Sequence, residues 1–599
     1  MTENNQNQPR LIPKSGEENF ADLRRKGIYY VDKTQYLKPL FIGTNDRLLL
    51  LRPRRFGKTL TMSTLRCFLE MNYRHPGDTS LQQELFRGLK VMEDTEFCGE
   101  HMGRHPVVSL SLKDADGIGF ADAYDSLAGT ISDLAHDFLW LDGPLLTKDE
   151  HDFLSMLTGY RHLREPDNSD YVEQSLVFLC RLLRKCFGDS HKPVLLIDEY
   201  DVPLQKAAAG GYYEPMNRLV GTMLNRALMD RDDICKVILT GCLPATGEAI
   251  FTGVNGLCID TVLARGNGLS AAIGFTPAEA RAMLGYYGFG DLYEKAAGWY
   301  GGYSIGGEAL FCPWDITSHV RELCRSRDPA AVRPKSHWNL TSSSNFIAGF
   351  MPRLAPEDAE CLQDLIAGRS ISLPAYKGMS YGTLDFNNLR SSEFWNILIY
   401  TGYLTLSGTG SGGANELRIP NKEILRYFRD NISGYYRNTW SREYDTLVRG
   451  LMERLLSGDS GGAEDSMSAL LGGFVPLEEN APKAPHGDFY RSFLDSLFAA
   501  AEHSISDCRV LYGSGFAEIT FRSAGGTMAV VIRIEYAPDS TAGLHTLADR
   551  ALEHLEENVC AKALLSQTKI THIAECGMAF RGRSCAVSCR ELLPETPGA

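Results

Sequence analysis

The sequence predicts an α/β fold built on a parallel sheet, and three observations carry that prediction. Fully apolar strand-like runs, Leu48–Leu51, Pro106–Leu112, Pro193–Asp201 and Lys236–Gly241, alternate with stretches of helical spacing. Strands that are apolar along their whole length belong to sheets covered on both faces, with helices as the cover. The first run enters a basic loop ending Gly57-Lys58-Thr59, and the third ends in the acidic pair Asp198-Glu199.

At 599 residues the chain is too long for one core, and two to four domains are expected. Hydrophobic content of 44% and charged content of 23% are those of a soluble globular protein. No apolar run approaches the roughly 18 residues of a membrane helix, and the polar start lacks a secretory core. Fifteen cysteines without a C-x-x-C pair argue against a disulfide framework and a zinc site. A cytoplasmic protein with reduced thiols is expected. The net charge of −14 does not favour nucleic acid as a partner. The first 75 residues depart from that balance, with 14 Lys and Arg against 7 Asp and Glu.

In chain order, residues 1–16 read as a disordered leader and 17–263 as the domain of the four apolar strands. Residues from about Phe120 to Cys186 have helical spacing, clearest in "VEQSLVFLCRLLRKCF". Residues 264–440 change to short helices broken by Gly- and aromatic-rich turns, a helical lid or winged-helix-like region. Residues 441–487 read as a linker, with joints at Ser457–Ser466 and Leu477–Gly487. Residues 488–599 form a separate, smaller α/β pattern.

Strand, loop, Gly-Lys-Thr and helix make a phosphate-binding loop, the Walker A element of a P-loop NTPase. Gly57 lets the backbone approach a phosphate, and the N–H groups of Arg54, Arg55, Phe56, Lys58, Thr59 and Leu60 lie where an anion nest forms. Lys58 reaches the β- and γ-phosphates and Thr59 sits on Mg²⁺. Arg52 stands where the motif has its first glycine, and the arginines of the loop could add phosphate contacts. Asp198, at the end of a buried strand, is a second Mg²⁺ ligand of the Walker B kind. Glu199 orients or deprotonates the attacking water. Thr240 offers a hydroxyl near the γ-phosphate. The alternative for Asp198-Glu199 is a helix cap.

The stretches "FADLRRKGIYYVDKTQYLKPL", "RPRRFGKTLTMSTLRCFLE", "VLLIDEYDVPL" and "IFTGVNGL" together resemble the AAA-ATPase-like family of bacterial proteins. So do "GFTPAEA", "WYGGYSIGG", "FCPWDI", "HWNLTSSSN", "FWNILIYTGYLTL" and "IPNKEI" further on. The resemblance implies that Arg52 is a regular form of the loop, and that Tyr29–Thr34 line a base pocket or pack the N-terminus. It also implies a C-terminal PD-(D/E)XK nuclease-like domain, of restriction-endonuclease-like fold. Where that family often reads TG-x-L-R, this chain has Pro244, so ATP binding is better supported than fast hydrolysis.

A nuclease of that class needs an acid on one strand, and an acid and a lysine two residues apart on the next. Strand alternation puts positions i and i+2 on one face around a Mg²⁺ ion. Here Phe516 and Glu518 stand at the arginine and aspartate positions, and Arg533 and Glu535 at the acid and lysine positions. His554 and Cys560 stand where Gln and Tyr are usual. A cation at the ligand position repels the metal, and a salt link of Arg533 with Glu535 or Glu518 is expected.

The reading is a Mg²⁺-dependent, slowly hydrolysing ATP-binding switch whose nuclease-like domain has lost its metal site. The alternatives are an ATP-gated, metal-dependent DNA nuclease and a non-catalytic interaction scaffold. A protein partner is expected without being identified, and homo-oligomers are compatible with the sequence. No membrane is implied.

Overall fold

A computed structural model describes residues 11–43, 45–244, 249–264, 266, 268–337, 356–366, 368–374, 390–409, 414–474, 490, 494, 497, 517–522, 527–536, 542–555, 570–581 and 584–592. The chain divides into two compact units. Unit 1 joins Met1–His337 to Ser372–Glu423, and unit 2 joins Trp338–Ile371 to Ile424–Ala599.

Unit 1 is organised by a five-stranded sheet of β1 (Arg47–Leu51), β2 (Val107–Ser111), β3 (Val194–Asp198), β4 (Lys236–Gly241) and β5 (Leu257–Asp260). The order is β2–β3–β4–β1–β5, and every pair is parallel. β1, β3 and β4 are buried at every position, which is why their central residues read as apolar runs. β5 lies at an edge and is only partly covered, and its four residues escaped the sequence reading. Helix α1 (Lys58–Leu69) packs on β2, β3 and β4. The predicted long helix is α2 (Ser169–Phe187), which buries Val172, Leu176, Leu179 and Leu183 at helical spacing and packs on α4 (Tyr213–Met229). Between β3 and α4 runs α3 (Val202–Gly210).

β4 separates β1 from β3, so the carboxyl ends of all three open on one crevice. The chain leaves β1 for β2 at one edge of the sheet and leaves β4 for β5 at the other. That reversal makes the crevice the expected ligand site of an open α/β sheet.

Past residue 263 the same unit continues through α5 (Pro277–Tyr286), α6 (Tyr293–Tyr300), the hairpin β6–β7 (Tyr303–Ile305 and Glu308–Leu310) and α7 (Pro313–Arg325). Its second piece carries α8 (Ser391–Tyr400) and the antiparallel strands β8 (Thr405–Thr409) and β9 (Asn415–Arg418). The 264–440 lid region is thus not a segment of its own. Most of it completes unit 1, whereas 338–371 and the residues from 424 on belong to unit 2.

Unit 2 contains a mixed sheet of β10 (Ala517–Arg522), β11 (Met528–Tyr536), β12 (His572–Arg581) and β13 (Ser584–Leu592), in that order. β10–β11 and β12–β13 are antiparallel, and β11–β12 is parallel, joined through α11 (Leu544–Glu553). The linker expected at 441–487 is instead largely helical, with α9 (Lys422–Leu456) and α10 (Ser460–Phe474). Gly and Ser in "SGDSGGAEDS" suggested a joint. Ala463, Met467, Leu470 and Leu471, however, place an apolar stripe against Val530, Ile532, Cys576, Met578 and Val587. The joint at 477–487, Phe516 and Cys560 lie outside the described residues. No helix among the described residues is long and apolar enough to cross a membrane.

Burial of two histidines gives the fold an acid limit. His105, ahead of β2, and His319, on α7, are both pushed down from 6.5 to about 4 by burial. A histidine depressed in the folded state stabilises fully above its unfolded value, and that stability is lost as pH falls from 6.5 towards 4. The loss should approach about 3 kcal/mol per histidine. Thermal unfolding followed from pH 7 to 4.5 should show the midpoint falling, and His105→Gln with His319→Gln should flatten the slope. An unchanged slope in the double variant would refute this origin.

Candidate functional site

The loop after β1 answers why an arginine stands at its first position. Arg52 and Asp260 of β5 are each about 1% exposed, and the guanidinium reaches the Asp260 carboxylate at 2.7 Å. The same side chain donates to the carbonyls of Leu51 at 2.9 Å and of Asp260 and Leu269 at 3.3 Å each. Its backbone N–H continues the β1–β4 ladder to Gly241 at 3.1 Å. Arg52 therefore points away from the crevice and clamps the root of the loop to its neighbours. The expectation that it adds a phosphate contact is corrected.

The other two arginines are also held by protein groups. Arg54 donates to Gln205 of α3 at 2.7 Å. Arg55 takes a left-handed φ of 67°, lies 4.8 Å over the Trp314 ring and donates to the His337 carbonyl at 2.8 Å. Phe56 is buried, edge-on to Tyr303 at 5.1 Å, and its carbonyl accepts from the Gly274 N–H at 3.1 Å. Gly57 has φ 99° and leads directly into α1, a conformation that penalises a Cβ. The Gly57 carbonyl accepts from Thr61, and the Leu60 carbonyl from the Thr64 hydroxyl.

Lys58 is the first residue of α1 and only 3% exposed. Its Nζ donates to the Arg52 and Pro53 carbonyls and to Cys242 Sγ, all at 3.3 Å, and lies 3.4 Å from Glu199. Burial alone would lower its pKa, yet the surroundings hold it above the usual lysine value. Burial pushes the Cys242 thiol up to about 11, so at neutral pH it meets Lys58 as a dipole. The compensating negative charge comes from Glu199, Asp201 and Asp198.

Asp198 joins three elements. One carboxylate oxygen accepts from Thr59 of α1 at 2.7 Å, and the other accepts from Thr240 of β4. Burial raises its pKa, and the two hydroxyls oppose that shift. Glu199 has a left-handed φ of 54° and a side chain 18% exposed. Backbone strain of this kind in a non-glycine residue gathers at functional sites, and Arg55 and Glu199 are the non-glycine cases among the described residues.

Two residues of "DEYD" were overlooked in the sequence reading. Buried Asp201 accepts from the Cys242 and Leu243 N–H groups at 3.0 and 2.9 Å, and Tyr200 donates to the Leu243 carbonyl at 2.7 Å. They fix the turn that carries Cys242 against Lys58. Gly241 is required there, since a Cβ would come within 2.5 Å of the Tyr200 ring. The signal was a second aspartate three residues after Asp198, on a turn facing the end of β4.

A cavity of about 250 Å³ opens beside the loop, lined by Gly57, Lys58, Thr59, Leu60 and Glu199 at one end. Tyr29, Tyr30, Val31 and Lys33 line it together with Ile273 and Phe275. The "YYVDKT" segment thus shares the cavity with the loop. Lys33 is held there by Glu279 at 2.5 Å and the Ala271 carbonyl at 2.9 Å.

In unit 2, Glu518 and Arg533 are directly opposite in the β10–β11 register. Val530, Ile532 and Ile534 face the α9–α10 side, so Arg533 and Glu535 face α11. Glu535 is paired with Arg550 of α11, a partner the sequence reading did not consider, and Arg533 donates to the His554 carbonyl at 3.3 Å.

The Arg52–Asp260 pair generates a stability prediction. Removing one partner of a buried pair leaves the other charge unmatched, at a cost of about 3 kcal/mol or more. Asp260→Asn should lower unfolding stability by that scale in urea titrations. A change under about 1 kcal/mol, the range of exposed pairs, would show that the pair does not anchor the loop.

Residues 14–251 match the family described as predicted AAA-ATPase. The chain is also 26% identical over 497 residues to an "Uncharacterized protein in vnfD 5'region" of Azotobacter chroococcum mcd 1, covering 81% of this chain and 82% of that one. The stretch similar to the predicted AAA-ATPases thus contains β1–β4, the Gly57-Lys58-Thr59 loop and the Asp198-Glu199 pair.

Proposed function

We propose that this protein is a Mg²⁺-dependent ATP-binding switch that hydrolyses slowly, and that its second unit is nuclease-like without the metal chemistry. The observation that carries the first part is the junction of Thr59, Asp198 and Thr240 beside a buried Lys58 at a helix N-terminus. The start of α1 presents free N–H groups and the positive end of a helix dipole, which suit phosphate. Gly57 leaves the approach clear: a Cβ there would meet nothing within 4 Å.

The donor set fits the cofactor. Thr59 and Asp198 offer the hard oxygen ligands that Mg²⁺ prefers, and Lys58 is the cation for the phosphates. When bound, Mg²⁺·ATP supplies a γ-phosphoryl group already polarised for transfer. Lys58, which donates to the carbonyls of Arg52 and Pro53, would be the residue that holds the phosphate oxygens. Glu199, 3.4 Å from Lys58, would orient a water or accept its proton. Tyr29–Lys33 and Phe275 give the base an aromatic and apolar wall. Pro244 offers no cation to the charge that develops, which supports slow turnover.

For unit 2, support comes from Arg533 opposite Glu518 and from Glu535 engaged by Arg550. Two guanidinium groups stand where a divalent cation would need neutral or anionic ligands.

Titration calorimetry with Mg²⁺·ATP on the full chain tests the nucleotide site. Lys58→Ala should weaken binding by at least about 2 kcal/mol, the scale of a charge-assisted contact to a buried anion. Glu199→Gln should bind near wild type with lower turnover, and Pro244→Arg should raise turnover. Equal affinity in the lysine variant would remove the loop from the site.

DNA cleavage tests the second unit. The full chain should leave linear and plasmid DNA intact with Mg²⁺ or Mn²⁺, with or without ATP. Metal-dependent cutting lost in Glu518→Ala and Glu535→Ala would make the protein an ATP-gated nuclease instead.

A further inference from the structure

Cys576 of β12 and Cys589 of β13 are directly opposite in the antiparallel register. Both project to the α9–α10 side, where Cys576 is fully buried and Cys589 partly so. The backbone decides what kind of pair this is. The N–H of Cys589 donates outward to the Ser460 hydroxyl at 2.8 Å, and that of Val587 outward to Glu464 at 3.2 Å. N–H groups aimed away from β12 mark a non-hydrogen-bonded pair, whose Cα atoms lie about 4.5 Å apart. A disulfide spans Cα separations of roughly 4.4–6.8 Å, so these two residues can be bridged without moving the strands.

We propose that Cys576 and Cys589 form a redox modification site, closing a cross-strand disulfide by exchange with a low-molecular-weight disulfide of the glutathione class. The Cys576 thiol beside Cys589, and then the Ser460 hydroxyl, draw the Cys589 pKa below its ordinary value against the opposing effect of burial. The more accessible thiol is therefore the better nucleophile.

The exchange has two steps. The Cys589 thiolate attacks one sulfur of the small disulfide, whose S–S bond breaks, and the departing thiolate takes up the proton of Cys576. The Cys576 thiolate then attacks the Cys589 sulfur of the mixed disulfide and expels the second small thiolate, which takes up the proton Cys589 gave up. Two cysteine thiols are oxidised to one disulfide, and one small disulfide is reduced to two thiols. Cys585, on the same strand face as Cys589, stands opposite Phe580, and its sulfur lies against Ser468 at 3.5 Å. It has no cross-strand thiol to meet.

The test equilibrates the full chain in glutathione buffers of rising oxidised fraction, quenches with an alkylating agent and maps the peptides by non-reducing mass spectrometry. The expected product links Cys576 to Cys589 with loss of two hydrogens, forms in Cys585→Ser and disappears on return to excess reduced glutathione. Three results would overturn the proposal: Cys589 held as a lasting glutathione adduct, Cys576 joined to Cys585, or both thiols alkylated in full after oxidation. The wild-type map needs no variant, so misfolding of Cys589→Ser would not obscure the outcome.

Discussion

A full ammonium charge buried at the root of a helix is the constraint around which unit 1 is arranged. Lys58 cannot be desolvated alone, since an unmatched buried charge costs several kcal/mol. The fold meets it with two loop carbonyls, a thiol and the field of three carboxylates. Each of those groups is positioned in turn. The carbonyls depend on the Arg52–Asp260 clamp, and the thiol on the turn pinned by Tyr200 and Asp201. Asp198 depends on the hydroxyls of α1 and β4. Both Asp198 oxygens accept from hydroxyls, so the carboxylate is held between α1 and β4 and its orientation is fixed from two sides.

How much of this was legible in the sequence differed by element for physical reasons. β1, β3 and β4 announced themselves because burial on both faces keeps their centres apolar, with Arg47, Asp198, Lys236 and Thr240 confined to their ends. β5 did not, because an edge strand of four residues with partial cover has neither length nor apolar content. Lys58, Thr59, Asp198 and Thr240 were readable because a motif and a strand end put them in one crevice. The work of Arg52 was not, since its partner lies 208 residues away in the chain and no local pattern links them. Composition misled at Ser457–Ser466, where glycine and serine masked an apolar stripe that begins at Ala463 and continues along α10.

In the second unit, charges on one strand call for partners on the helix that covers it. With an arginine in the middle of β11 and a glutamate two residues on, the α11 face holds charges that need matching. Arg550 meets one of them. Close approach of α11 to β12 is set by Gly577, where a Cβ would come within 2.1 Å of the Ala548 carbonyl. A glycine in one strand and a charge pair on its neighbour thus fix the same helix from two sides.

The chain passes between the two units after His337, Ile371 and Glu423, the last time inside α9. Neither unit is a contiguous stretch of sequence, so no single proteolytic cut can release one from the other as an intact body. During vectorial synthesis, residues 372–423 leave the ribosome after residues 338–371. Unit 1 is therefore not complete until the first piece of unit 2 has been made and held aside. A truncation ending at Glu423 would preserve every residue of unit 1 but would also carry residues 338–371 without the rest of unit 2. Separation of the two bodies requires rejoining the chain by loop replacement or circular permutation.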